Sequence, residues 1–327
     1  MRRSPDTELR LAELDRVGAL LWPAGERLRE FVLLPSARRP RLLVPRARRA
    51  VAAEAVRHLG KPGARALRAG LGWPVIGGRR RLATGEDTIE EYLSDVLGRK
   101  VLVTLQVSPP RRANRKPVLQ AITPAGALIA YAKVGCDPLT CALVRNERDA
   151  LRLLADVPLR RVVPPRLLHY GEWRGLDVLV LSPLPVAQAR RRVDPALLAS
   201  AVREIAELGR YAWHGDFSPW NLAQHDESLL VWDWERFDDG LPFGFDLLHH
   251  AFQRALRRMS PRAAAEACVT GAARLLCPLG PSSAEARQVA VQYLITLAER
   301  HRRDGHEPLG PQSSWLNPVI DHEEALL

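Results

Sequence analysis

Cysteine, aromatic residues and long apolar stretches are all scarce in this chain. Four cysteines occur in 327 residues, Cys136, Cys141, Cys268 and Cys277. They form no zinc pattern, because Cys136 and Cys141 have no second Cys/His pair to complete a site. Reduced thiols, and with them a cytoplasmic location, are the expectation. No run reaches the roughly 18 uncharged apolar residues of a spanning helix, so no membrane span is expected. The start, Met1-Arg2-Arg3-Ser4-Pro5-Asp6-Thr7-Glu8, lacks the apolar stretch of a signal peptide. Repeats and low-complexity tracts are missing too. Aromatic residues make up only 6% and rarely interleave with the basic ones. That argues against a nucleic-acid partner despite a net charge of +11 and a pI near 10.2.

What remains is the composition of a globular protein, 46% apolar and 26% charged. The length suffices for two or three lobes with a real core. The charge is unevenly spread. Up to position 200 there are 36 basic against 19 acidic residues; beyond it, 12 against 18. A basic first part suits phosphates, and an acidic second part suits a cationic or polyhydroxylated acceptor. Asp238, Asp239, Asp304, Glu307, Asp321, Glu323 and Glu324 supply much of that acidity.

One pairing of motifs carries more information than the rest. Residues 214–221 read His-Gly-Asp-Phe-Ser-Pro-Trp-Asn and residues 233–235 read Asp-Trp-Glu. Between them, Leu222-Ala223 and Leu229-Leu230-Val231-Trp232 flank the polar turn Gln224-His225-Asp226-Glu227-Ser228, the pattern of a hairpin. Closing that hairpin brings Asp233 back beside Asn221 and Asp216. One carboxylate to meet an acceptor hydroxyl, plus a carboxamide and a second carboxylate as oxygen ligands for Mg²⁺, is a minimal kit for phosphoryl transfer. Each residue alone is equally at home as a loop-former; it is the spaced set that points to chemistry.

This set resembles the aminoglycoside phosphotransferase and choline kinase family, which has a protein-kinase-like fold. Gly215, where protein kinases usually carry Arg, favours the small-molecule branch. The resemblance covers about residues 100–250 and implies a two-lobed α+β enzyme that uses ATP or another nucleoside triphosphate with Mg²⁺. It assigns Asp216 the acceptor hydroxyl and its proton, with His214 shaping the loop. Asn221 and Asp233 become metal ligands, and Asp246, in Phe245-Asp246-Leu247, braces the loop. Upstream, 101–107, 118–122 and 128–134 read as strands of an antiparallel meander. By the resemblance, Lys133 holds the non-transferred phosphates and Glu147, on the helix that follows, orients it. Val178-Leu179-Val180-Leu181 runs into Ser182-Pro183-Leu184, matching the hinge whose backbone holds adenine. The segment 108–117, where protein kinases place glycines over the phosphates, has none. Its four basic side chains either meet phosphate by charge or form a solvated loop.

The remaining elements are read from pattern alone. Residues 7–22 suit a helix or mixed structure, 31–35 and 41–45 a hairpin, and 46–59 a helix stopped by Gly60-Lys61-Pro62-Gly63. Gly77-Gly78-Arg79-Arg80-Arg81 reads as an exposed loop. Helices are expected from Thr88, from Asp194-Pro195, from Ser260-Pro261 and over 283–303. His249-His250 are neighbours on a helix, so they point different ways and read as packing or polar surface. The expected division is an accessory extension over 1–85, a nucleotide-binding lobe over 86–184, and a catalytic and acceptor-binding lobe over 185–327. The expected activity is phosphoryl transfer to a hydroxyl of a small molecule, an amino sugar, sugar or amino alcohol; members of the family act on several such acceptors. Two other readings stay open: a nucleotide-binding pseudokinase that regulates a partner, and a binding protein whose first 85 residues contact nucleic acid or an anionic surface.

Overall fold

The computed structural model describes residues 5–36, 40–47, 49–57, 78–107, 114–190, 192–305 and 307–324. The chain divides into two compact units. One holds 1–144 and 166–183; the other holds 145–165 and 184–327. The division therefore differs from a linear one: residues 145–165 group with the second unit although 166–183 return to the first.

The first unit is built on an antiparallel sheet. Its strands are β1 (Arg27–Leu34), β2 (Leu42–Pro45), β3 (Gly78–Thr84), β4 (Leu102–Gln106), β5 (Val118–Ile122), β6 (Leu128–Gly135), β8 (Leu167–Trp173) and β9 (Leu176–Leu181). Their spatial order is β3-β1-β2-β4-β5-β6-β9-β8. The first 85 residues are thus continuous with the central meander, because β2 pairs with β4 at Leu42↔Gln106 and Leu43↔Leu105. Helices α1 (Pro5–Leu21), α2 (Arg49–Ala55) and α3 (Ile89–Val96) belong to this unit.

The apolar run of β1 shows why both sheet faces are covered. Phe31 and Leu33 join a core with Leu14, Val17 and Leu21 of α1 and with Ile89 and Leu93 of α3. Val32 and Leu34 join a second core with Val51, Ala52 and Ala55 of α2. A strand covered on both faces reads as a continuous apolar run instead of an alternating one. Helix α3 starts at a complete capping box. Glu91 N donates to Thr88 Oγ at 3.3 Å, and Thr88 N donates to Glu91 Oε2 at 2.8 Å.

The stretch expected as an exposed loop at 77–81 is corrected from Gly78 onward, where β3 begins and pairs with β1 along seven positions; Gly77 lies outside the described residues. Arginine stems span the strand while their heads reach acids far away in sequence, Arg80 to Asp15 and Arg81 to Glu30. The glycine stop at 60–63 and positions 108–113 of the basic segment also lie outside the described residues. Lys116, in the same segment, is buried.

The second unit is mainly helical. Helix α4 (Pro138–Ala155) enters it at position 145. A small sheet of β7 (Val162–Val163), β10 (Leu222–His225) and β11 (Ser228–Val231) has the order β10-β11-β7, with β7 parallel to β11. Helices α5 (Pro195–Ala206), α6 (Phe245–Ala255), α7 (Pro261–Leu276) and α8 (Ser283–Arg303) follow, then the short α9 (Gln312–Trp315) and α10 (Asn317–Glu324). Asp194, Ser260 and Ser282 cap α5, α7 and α8 with their side chains. An aromatic chain, Trp213–Phe245–Tyr293–Phe252–Trp315, ties α6 and α8 to the loop before residue 214 and to α9. No described helix is long and apolar enough to cross a membrane.

Candidate active site

The loop 213–221 leads into β10, and the β10–β11 hairpin fixes what faces it. Leu222 pairs with Val231, and Trp232 N donates to Asn221 O at 3.2 Å. Asp233 is the next residue, with φ +73, followed by a single 3-10 turn over Trp234–Arg236. The left-handed geometry is one that Asp tolerates better than most residues. Asn146 of α4 donates to Glu235 O at 3.0 Å and Phe237 O at 2.9 Å, fastening that turn to the helix that bears Glu147.

The loop is held from beneath by its backbone. Asp246, at the start of α6, accepts from His214 N at 2.8 Å and from Gly215 N at 3.3 Å. Arg300 of α8 donates to Gly215 O at 2.6 Å and lies over the Trp213 ring, 5.6 Å from its centre. Gly215 has φ +82, and a β-carbon there would sit 2.0 Å from Arg236 O. Only glycine meets both the dihedral and the space. His214 is fully buried. Asp216 N donates to its Nδ1 at 3.2 Å, so the ring proton sits on Nε2, which reaches Trp232 O at 3.1 Å. One neutral imidazole thereby links the loop to the strand end that precedes Asp233.

The Asp216 side chain is about a third exposed (31%), and three donors serve it. Ser218 Oγ and His249 Nε2, the latter at 3.0 Å, donate to Oδ1; Asn221 Nδ2 donates to Oδ2 at 3.0 Å and also to Asp216 O at 3.0 Å. Burial pushes this carboxyl up. The hydrogen bonds from His249 and from the Ser218 hydroxyl, with the field of Arg300, outweigh it and hold Asp216 below the ordinary carboxylate range. Asp246 goes the other way: burial dominates its two amide donors and, with the charge of Asp216, raises it to about 7. Burial lowers His214 to about 4 and also lowers His249, so both rings are neutral near pH 7.

Asn221 spends its amide nitrogen on Asp216, which turns the Oδ1 side of its carboxamide to other partners. Carboxylate oxygens of Glu147, Asp233 and Glu235 lie within 4.8 Å of one another. Oxygen donors of this kind fit a hard divalent cation such as Mg²⁺. Lys133 lies on β6 of the first unit, opposite Val118 and Leu179, and is buried. Ser182 belongs to the first unit and Leu184 to the second, so the chain passes between them here. Ser182 is paired to Arg166 through both its amide (2.9 Å) and its hydroxyl (2.8 Å), while Leu184 O accepts from Val186 N at 2.8 Å.

No family model matches this sequence, and no curated protein matches it. Among solved structures it is similar to a candidate fructosamine-3-kinase from Haemophilus somnus 129PT, with a TM-score of 0.47, 11% identity, and 72% of this chain and 96% of that chain covered. It is also similar to the bifunctional kinase-methyltransferase WbdD, with a TM-score of 0.33, 15% identity, and 65% of this chain and 47% of that one covered. A third is the PknI kinase domain of Mycobacterium tuberculosis, with a TM-score of 0.27, 14% identity, and 48% and 68% covered. The chain spans about half the length of WbdD.

Several residues at this site carried no site assignment in the sequence reading. The histidine pair read as packing or polar surface is buried, and each member touches the loop: His249 meets Asp216, and His250 Nδ1 lies 3.3 Å from Phe217 O. Ser218 donates to Asp216 from within the loop, Arg300 donates to Gly215 O from 85 residues downstream, and Tyr293 acts on the loop through His249. Only Glu235 had a usable signal, its place two residues after Asp233 in the Asp-Trp-Glu string.

Proposed function

We propose that this protein transfers the γ-phosphoryl group of ATP, or of another nucleoside triphosphate, to a hydroxyl of a small molecule. The observation that carries the reading is the Asp216–Asn221 pair. One carboxylate is oriented by the amide of a residue whose own oxygen is turned elsewhere, and the β10–β11 register returns Asp233 to the same strand end. This gives the loop a group for the acceptor and two oxygens for a metal.

Asp216 orients the acceptor hydroxyl and takes its proton as the new O–P bond forms and the bond from the γ-phosphorus to the β-phosphate oxygen breaks, releasing the nucleoside diphosphate. In a loose phosphoryl-transfer transition state the hydroxyl keeps its proton until late, so a weakly basic, well-fixed carboxylate suffices. That fits an Asp216 held below the ordinary range. Asn221 Oδ1 and Asp233 would hold Mg²⁺, which supplies charge neutralisation at the phosphate oxygens. Glu147 and Glu235 add negative charge beside Asp233. Lys133 is assigned to the non-transferred phosphates, Ser182 and Leu184 to the adenine, and His214 and Asp246 to the shape of the loop. The acidic excess after residue 200 favours an amino-bearing acceptor, such as an amino sugar or amino alcohol. Asp304 is set apart from that surface charge, since Arg236 pairs with it.

The test is a library of hydroxyl compounds screened for ATP consumption, with Asp216→Asn as the blank. Turnover is expected to fall about 10²–10⁴-fold in the variant while nucleotide affinity stays within twofold. Near-wild-type turnover in Asp216→Asn would overturn the assignment. ATP binding without turnover on any compound would favour the regulatory reading, to which the glycine-free sequence 108–117 lends some support.

A further inference from the structure

The partners of His249 divide it from its neighbour. A histidine that only fills space needs volume and at most one hydrogen bond. His249 is 1% exposed and uses both ring nitrogens. Nε2 lies 3.0 Å from Asp216 Oδ1 and 3.1 Å from Ser218 Oγ, and Nδ1 lies 3.0 Å from Tyr293 Oη.

Chemistry fixes the direction of every proton in this chain. An ionised carboxylate only accepts, so His249 Nε2 carries the hydrogen. In a neutral ring Nδ1 is then bare and accepts, so the Tyr293 hydroxyl donates. Burial keeps that phenol protonated, and Phe245 and Phe252 pack edge-on against its ring. The order Tyr293→His249→Asp216 therefore runs from α8 through α6 to the loop, with one arrangement of hydrogens.

A carboxylate has about four in-plane acceptor positions. Among the described residues, Ser218 and His249 take the two on Oδ1, and Asn221 takes one on Oδ2. We propose that His249, oriented by Tyr293, is a positioning residue that locks the plane of the Asp216 carboxylate so that the remaining position, on Oδ2, meets the acceptor hydroxyl. The inference rests on the phosphotransfer reading above. His249 acts through Asp216 and touches neither nucleotide nor acceptor. Without it, Oδ1 loses a donor, the carboxylate turns, and the hydroxyl is misplaced.

Two measurements test this. Nitrogen-15 NMR of ring-labelled histidine, with His249→Gln to assign the signal, reads the tautomer. A neutral ring protonated on Nε2 is expected near pH 7.5, its Nδ1 signal moving in Tyr293→Phe. A ring protonated on Nδ1 would overturn the proposal. Kinetics with an acceptor from the hydroxyl library reads the positioning. His249→Leu should lose about 100-fold in kcat, with KM for ATP within twofold, as expected when a reacting group is displaced by about 1 Å. His249→Gln, which keeps an amide donor, should recover most of that loss. Tyr293→Phe should lower kcat in the wild-type background and have no effect in the His249→Gln background, because coupled residues are not additive. If His249→Leu does not fold, the Gln and Tyr293 variants carry the test alone. Unchanged kcat in His249→Leu, or an equal Tyr293 effect in both backgrounds, removes the positioning role and leaves the phosphotransfer reading standing. A wild-type protein that phosphorylates nothing removes both.

Discussion

Charge is handled in opposite ways at the two ends of the chain. Around β1 and β3 most of it stays near the surface: Arg27 with Glu86 and Glu91, Arg46 and Arg81 with Glu30, Arg80 with Asp15, while Arg29 reaches the buried Glu90. Around the loop 213–221 it goes inside: Asp246, His214 and His249 are buried, and each is matched to specific donors or acceptors. Exposed pairs contribute about 0–1 kcal/mol each. Buried polar groups cost several kcal/mol unless satisfied, so they persist where a site needs them or where one geometry must be specified. The pairs around β1 and β3 are mostly partly exposed, whereas the groups that hold the loop 213–221, Asp246, His214 and His249, are out of water.

The largest effect is expected at Gly215. Gly215→Ala places a β-carbon against Arg236 O in a left-handed backbone and should cost about 3–5 kcal/mol, read by urea unfolding. A loss under about 1 kcal/mol would mean that the loop is not held as tightly as its surroundings imply.

Acid has the next largest expected effect. His214 and His250 are lowered to about 4, mainly by burial, and His249 is lowered as well. Between about pH 6.5 and 4 the unfolded chain binds more protons at these rings than the folded one does, so stability falls as pH falls. Asp246 opposes this: its folded value of about 7 lies above the ordinary 3.8, so the folded state binds its proton more readily over that window. Three rings against one carboxyl leave a net loss on acidification. His250→Gln keeps a donor for Phe217 O but cannot titrate. It should flatten the fall between pH 6.5 and 5 by roughly 2 kcal/mol, measured as unfolding free energy against pH. An identical slope in the variant would place His250 outside this balance.

Two smaller effects probe the first unit. Thr88→Ala removes the cap of α3 and should cost about 1 kcal/mol in the same unfolding assay. Arg27→Ala removes two exposed pairs at 3.5 Å and should change stability by less than about 0.5 kcal/mol, even at low salt.

The same contrast governs what was legible. Strands β4, β5, β6 and β9, the β10–β11 hairpin and the capped helices follow from local pattern, because turn chemistry, β-branched runs and cap residues are written within a few positions. β3 did not follow, because a Gly-Gly-Arg-Arg-Arg string looks like a solvated turn until Asp15 and Glu30 are beside it. At the site, the spaced string 214–221 and Asp-Trp-Glu marked the loop and the hairpin. The supports of Asp216 were not marked. His249 lies 33 residues away and meets Tyr293, another 44 residues on, so no window of sequence joins them. Adjacent histidines look alike in sequence; only tertiary packing sends one to a carboxylate and the other to a backbone carbonyl.

The interleaving of the two units bears on how the molecule can be taken apart. The chain changes unit after 144, after 165 and after 183. A cut at 183 therefore does not yield two domains. A 184–327 fragment would lack β7, leaving one side of β11 as a bare strand edge, and would lack the helix that carries Asn146 and Glu147. A 1–183 fragment would carry residues 145–165 without the unit they pack in. Exposed edges of this kind favour association, so either piece made alone should aggregate. Mixing the two pieces should recover native structure only if 145–165 finds its place in trans. During synthesis the same arrangement means that β7 waits for β11, more than sixty residues later, before its pairing can form.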